Sequence, residues 1–277
     1  MEALLRLSVF SSVLVGMLCW EKLRPFRRFP QKKYERFWIN LGLSGLNLIL
    51  VRLLAGGGAY AAAETARRLN LGLFRHFDFP FELETVLSLL VLDFAIYLQH
   101  RLFHRVPVFW RFHKVHHSDP GFDTSTGLRF HAVEIVLSMY YKMALVVMLG
   151  TAPGTVVAFE IILNACALFN HGNVRIPDPW ERRIRKILIT PDMHRIHHCT
   201  DLVEQNRNYG FSLPWWDLLC KSYHQDPASD PAQMPIGLND PNTPERPGFL
   251  NLLMLPFAPT RVFPNSSPSR PDREGLQ

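Results

Sequence analysis

The chain has 277 residues, 48% of them apolar, with a formal net charge of +6 and a mean hydropathy of +0.02, values that lie between ordinary soluble and membrane proteins and allow one sizeable core or two small ones. Much of the basic excess sits in Lys22 to Arg36, seven Lys or Arg against one Glu beside an apolar segment, a pattern that fits anionic lipid headgroups and the positive-inside rule and excludes a nucleic-acid-reading surface. Cys19, Cys166, Cys199 and Cys220 are widely spaced with no C-x-x-C pair, which excludes a disulfide framework and a thiolate zinc site.

Leu4 to Trp20 is apolar and runs into the basic stretch with no small-residue cleavage site, so it reads as a retained span. Trp38 to Leu54 is a second span, interrupted by Asn40 and Asn47, with Arg52 placed to snorkel and Gly56-Gly57-Gly58 breaking the pattern. Phe81 to Gln99 is a third, running directly into His100. Val133 to Leu149 and Gly154 to Phe169 carry Glu134, Lys142 and Glu160 and read as a helical hairpin turned at Ala152-Pro153-Gly154. From Gln225 onward lie eleven of the 21 prolines, which predicts an extended tail in which only Leu250 to Phe257 can dock on membrane or protein, with disorder beyond Pro264.

These elements predict an all-α, polytopic membrane helix bundle with a cytoplasmic, histidine-rich catalytic cap. Its parts are N-terminal spans with a basic loop (1–80), a histidine-rich catalytic domain (81–224) and a Pro-rich tail (225–277). A cytoplasmic basic loop puts the amino terminus outside, and counting crossings then delivers every histidine cluster to one face.

Eight of the twelve histidines form three short patterns: His100-x-x-x-His104, His113-x-x-His116-His117 and His194-x-x-His197-His198. Positions i, i+3 and i+4 share a helix face, so each pattern aims two or three imidazoles at a common point. Composition alone yields roughly 0.02 copies of H-x-x-H-H in such a chain, against the two present. Eight unliganded imidazoles beside lipid would repel on protonation and be costly to desolvate. They are too many for one ion, because a catalytic zinc takes three protein ligands and leaves a position open, so two metals are implied. Imidazole suits iron, zinc or copper alike.

The segments HRLFH, HKVHH and HRIHH, in this order and with the apolar hairpin between the second and third, resemble the fatty acid hydroxylase/sterol desaturase superfamily. The likeness runs from about Leu83 to Tyr223 and extends to Arg129-x-His131-x-x-Glu134, Asn170-His171-Gly172-Asn173, Asn208-Tyr209-Gly210 and Trp216-Asp217. It implies a membrane oxygenase with two iron ions that hydroxylates or desaturates a lipid with dioxygen and an external electron donor, the chain carrying no dinucleotide fingerprint or haem-attachment motif. It also implies a ligand from the hairpin, for which His171 is the matching position. Where one branch has a further histidine four residues earlier, this chain has Ala167.

His131 either substitutes as a ligand or joins Arg129 and Glu134 in an ion-pair network. Asp93, seven and eleven residues before His100 and His104, lies on their helix face and could accept a hydrogen bond from a ligating imidazole. His76 and His224 stand outside the patterns, and Phe109, Trp110 and Phe112 read as an interfacial belt. Two rivals remain: a zinc-dependent membrane hydrolase or isomerase with Glu134 or Asp192 as base, and a metal transporter. The transporter is disfavoured because its ligands would lie within the spans, not at their ends.

Overall fold

The computed structural model describes residues 1–28, 33–77, 79–240, 243 and 247–259, and among these every regular element is helical, with no strand. The expected disorder beyond Pro264 lies outside the described residues.

Helix α1 (Glu2–Leu23), α2 (Lys33–Ala55), α3 (Gly58–Arg68), α4 (Phe81–Arg105), α6 (Ala132–Leu149) and α7 (Pro153–Asn170) form the bundle. Helix α5 (Pro107–His117) follows α4 after a one-residue break, with Pro107 at its first turn, where a missing N–H costs nothing. Four stretches among the described residues, Glu2–Leu23, Lys33–His76, Ala132–Leu149 and Pro153–Asn170, are long and apolar enough to cross a membrane. The predicted third span forms α4 but is not among them; Asp93 and the histidine-bearing end make it the most polar of the long helices.

Contacts give the direction of each helix. The last turn of α1 meets the loops after α5 and α7, because Glu21 accepts hydrogen bonds from Thr124 and Asn173. Helix α2 starts at the same end, where Arg36 and Asn40 reach Asp119. Its other end accepts a bond from Tyr140 in α6 at the Leu54 carbonyl. The triple glycine turns the chain, with Gly56 and Gly58 at φ of 57° and 62°, so that α3 packs its alanines on α6 and α7. Ala59 and Ala63 join Leu92, Val146, Val156 and Phe159 in one buried cluster; small residues let helix backbones approach where lipid removes the hydrophobic drive between spans.

At that far end the connections cross closely. A Cβ on Gly72 would lie 2.1 Å from the Gly150 backbone nitrogen, and both glycines have positive φ, so neither tolerates a side chain. Helices α4 and α7 return from here to the first end, and all the histidine patterns are thereby gathered at one end of the bundle. Inside the bundle, Glu160 is nearly buried and accepts from Lys142 at 2.5 Å and from Arg6; paired charges are the tolerated form at such depth.

The cap is built from short helices: α8 (Asp178–Ile184), α9 (Pro191–His197), α10 (Leu202–Gln205), α11 (Trp215–Leu219) and α12 (Phe249–Met254). Residues 226–240 of the Pro-rich segment form no helix and wrap the cap. Gly237 N–H donates to the His198 carbonyl and Thr200 N–H to Pro235. Leu252 and Leu255 are buried with Leu43 and Val115, so the docking stretch of the tail lies on protein, between α2 and α5.

Candidate metal centre

Four elements supply nine imidazoles. Helix α4 carries His100 and His104 on its last turns, α5 carries His113, His116 and His117, α9 carries His194 and His197 with His198 as its C-cap, and His171 is the C-cap of α7. The third pattern is set by Thr190, which caps α9 by accepting from Met193 N–H, with Pro191 next. All nine are 3% exposed or less.

The rings converge in two groups, His100, His104, His113, His117 and His197 in one and His116, His171, His194 and His198 in the other, with the ligand atoms of each group within 4.8 Å of one another. The sequence expectation that each pattern serves one point holds for the first pattern only. In H-x-x-H-H the i and i+4 residues share a direction, while the neighbour at i+3 is turned about 100° from i+4. His113 and His117 therefore face the five-histidine group and His116 the other; His194 and His198 face the four-histidine group and His197 the five.

Backbone and carboxylate acceptors fix five rings through Nδ1. His100 bonds the Tyr209 carbonyl at 2.7 Å, His113 Glu134 Oε1 at 2.7 Å, His116 the Arg129 carbonyl at 3.2 Å, His171 the Ala167 carbonyl at 2.6 Å and His197 the Arg207 carbonyl at 2.8 Å. Each such bond leaves Nε2 bare and pointed inward. The Nε2 atoms then stand 3.1 Å apart, nitrogen to nitrogen, for His100 with His113 and with His197, and for His171 with His116 and with His194.

Burial first, and neighbouring imidazoles second, push His116, His117, His194 and His198 well below the usual 6.5. Burial likewise lowers His171 to about 4 and His197 to about 3. Neutral imidazole is the form that binds metal. His117 and His198 are fully buried and neither ring nitrogen of either has a hydrogen-bond partner, an arrangement that is costly unless a cation takes those lone pairs. The donor set thus fits two metal ions, one held by five imidazoles and one by four.

The surrounding shell is aromatic and polar by turns. Phe130 stacks on His116 at 4.3 Å and 11°, and Trp110 lies 5.0 Å from His104 and 5.3 Å from His117. Trp110 is 2% exposed, so it is part of the wall of the centre and not of an interfacial belt. Below the loop after α5, Asp119 accepts from Arg36, Asn40 and Thr126, and Arg129 donates to Val115, Asn40 and Ser118.

The remaining expected positions divide. Glu134 meets His113, not Arg129. His131 stays outside both groups; its Nδ1 accepts from Val133 N–H at the start of α6 and its Nε2 bonds the Leu253 carbonyl. Asp93 is turned from the histidines on its own helix and accepts from Trp216 Nε1 and Leu213 N–H. Asp192 pairs with Arg195. His76 and His224 lie in neither group. Asn40, seen in the sequence only as a polar interruption of a span, anchors Asp119, Ser125 and Arg129; the signal was a buried amide on an otherwise apolar helix.

A family model described as fatty acid hydroxylase matches residues 85–222. An ornithine lipid hydroxylase of Rhizobium tropici is 28% identical over 263 residues, 90% of this chain and 75% of that protein. The alkylglycerol monooxygenase of Homo sapiens is 28% identical over 139 residues, 50% of this chain and 30% of that protein. A very-long-chain aldehyde decarbonylase of Oryza sativa is 25% identical over 211 residues, 73% of this chain and 31% of its own length. The chain thus spans three quarters of the first relative and under a third of the other two. No solved structure matches the chain.

Proposed function

We propose that this chain, which belongs to the fatty acid hydroxylase family and is a dioxygen-dependent oxidoreductase, hydroxylates the hydrocarbon part of a membrane lipid, using two irons held by the nine converging histidines. The observation that carries the reading is the division of nine buried imidazoles into a group of five and a group of four, on a chain whose relatives are named for oxygen insertion into lipids. Bound iron supplies dioxygen activation and the oxidation of an unactivated C–H bond.

The protein's own residues supply the rest. His100, His104, His113, His117 and His197 hold one ion, and His116, His171, His194 and His198 the other. Glu134 and the backbone carbonyls behind the rings fix which nitrogen faces the metal, and Trp110, Phe122 and Phe130 exclude water. Electrons come from an external donor. Arg27 and Arg36 of the basic stretch contact the histidine end, which supports a cytoplasmic orientation of that end under the positive-inside rule.

Ligand number favours iron over the zinc hydrolase reading. Five imidazoles exceed the four-coordinate shell of zinc sites, and both candidate bases are engaged, Glu134 by His113 and Asp192 by Arg195.

The test is metal content of detergent-purified protein prepared under anaerobic, iron-replete conditions, followed by lipid mass spectrometry under labelled dioxygen. About two irons per chain and a labelled hydroxyl on a lipid chain are expected. Two zincs that iron cannot displace, with no dioxygen uptake under reductant, would overturn the reading.

A further inference from the structure

We propose that Asp217 is a positioning residue for the five-histidine group, acting on His100 through a single peptide unit. The carboxylate is fully buried and accepts three hydrogen bonds: Oδ1 from Tyr209 N–H at 2.9 Å and Ser222 Oγ at 2.6 Å, and Oδ2 from Gly210 N–H at 2.8 Å. The Gly210 N–H and the Tyr209 carbonyl belong to one amide, and that carbonyl accepts from His100 Nδ1 at 2.7 Å. A negative charge on the N–H side of an amide polarises it and enriches its carbonyl oxygen. Asp217 thus acts on His100 as Glu134 acts directly on His113, holding the proton on Nδ1 and raising the basicity of Nε2.

The loop is shaped for this contact. A Cβ on Gly210 would lie 2.7 Å from Ile189 Cδ1 and 2.9 Å from Asp217 Oδ2, so only glycine brings this amide to the carboxylate. Asn208 is in the left-handed region at φ 52° and is held there by bonds from its side chain to the Met193 and His224 backbones. The three donors to Asp217 are neutral; burial pushes its carboxyl up, and these three bonds together with the charge of Arg101 act the other way, towards the carboxylate. The relay has no counterpart at the other group, where His116 and His171 lean on the carbonyls of Arg129 and Ala167.

The proposal rests on the two-metal reading, and the experiment separates the two. Cobalt(II) affinity is measured by chelator competition in a His171→Ala/His194→Ala background, which leaves the five-histidine group intact and two imidazoles at the other, and in a His104→Ala/His113→Ala/His197→Ala background, which leaves the four-histidine group intact and two imidazoles at the first. Absence of tight cobalt binding in either parent would be a failure of the two-metal reading. Given binding, Asp217→Asn is expected to weaken the five-histidine site by about 10- to 100-fold and the four-histidine site by less than about 2-fold, and Asp217→Glu to recover part of the loss.

An unchanged affinity, an equal loss at both sites, or no recovery with glutamate would overturn the relay. If Asp217→Asn does not fold, Ser222→Ala decides. It removes a neutral donor and leaves the carboxylate to the two amides, so affinity at the five-histidine site must hold or rise, and a tenfold fall would show that loop packing, not charge, is what matters.

Discussion

Replacing Arg36 by methionine tests whether the loop that follows the second histidine pattern is held by a buried ion cluster. The guanidinium gives Nε to Asp119 Oδ1 at 2.7 Å, Nη2 to Asp119 Oδ2 at 3.1 Å and Nη1 to Asp123 Oδ2 at 3.1 Å. Its side chain is 12% exposed against 0% for Asp119 and 2% for Asp123. Burial alone would raise the Asp119 carboxyl, but the charges of Arg36 and Arg129 hold it well below the ordinary carboxylate range. Because that native value lies below the unfolded one, the stabilisation is present in full above pH about 4 and is lost as pH falls further.

At neutral pH the variant strands Asp123 and leaves Asp119 to the charge of Arg129 alone, a loss of about 3–5 kcal/mol, which at this chain length lowers the thermal midpoint by about 6–10 °C. Differential scanning of protein in detergent measures it. Adding Asp119→Asn removes one of the two carboxylate charges, so the double variant should be less destabilised than the sum of the two single variants by at least about 1 kcal/mol. Additive losses, or a single-variant loss below about 1 kcal/mol, would refute the buried-cluster account.

His117→Ala and His197→Ala should each abolish turnover and weaken metal binding, whereas His224→Ala should do neither; normal turnover in either of the first two would remove that residue from the centre. Glu134→Gln should weaken metal binding at the five-histidine site by about 10- to 100-fold with the helical circular dichroism unchanged, and parent-like affinity would mean that the 2.7 Å contact to His113 does not tune the ligand. In metal-stripped protein, His171 and His197 resist protonation down to about 4 and about 3 while the unfolded chain takes up protons near 6.5, so each costs about 2 kcal/mol at pH 5 relative to neutral pH; a thermal midpoint that does not fall between pH 7.5 and pH 5 would contradict this. A cysteine at position 28, exposed in the structure, should be labelled from the cytoplasm and the amino terminus from the other side, and the reverse pattern would invert the topology.

The long helices and the histidine ends were legible because they rest on local rules. Apolar runs of membrane length, a triple glycine, and Pro at the first turn of α7 each act within one turn of their own position. What the sequence could not show is partnership across long separations. Asp93 shares a helix face with His100 and His104 in the sequence, yet its bonds go to Leu213 and Trp216, some 120 residues later. Glu134 could be placed near the hairpin mouth but not matched to His113 over His131, because that choice depends on how α5 lies against the start of α6. The split of each H-x-x-H-H run between two groups follows from helical angles alone, because i+3 and i+4 point about 100° apart.

The two groups differ in what stands behind them, and the difference follows from the fold. Helix α4 enters from the far end of the bundle and meets the loop before α11, where Asp217 of α11 accepts from Ser222, itself bonded to Tyr97 of α4, while α5 meets the first turn of α6 with Glu134. Both carboxylates therefore fall on the side of the five-histidine group. The four-histidine group faces the end of α7 and the loop after α5, where Asp119 is already committed to Arg36 and Arg129. Two ions with equal chemistry would thus meet unequal ligand basicity, greater at the group of five. The group of four offers its ion one imidazole fewer, and its carbonyl supports at His116 and His171 are neutral.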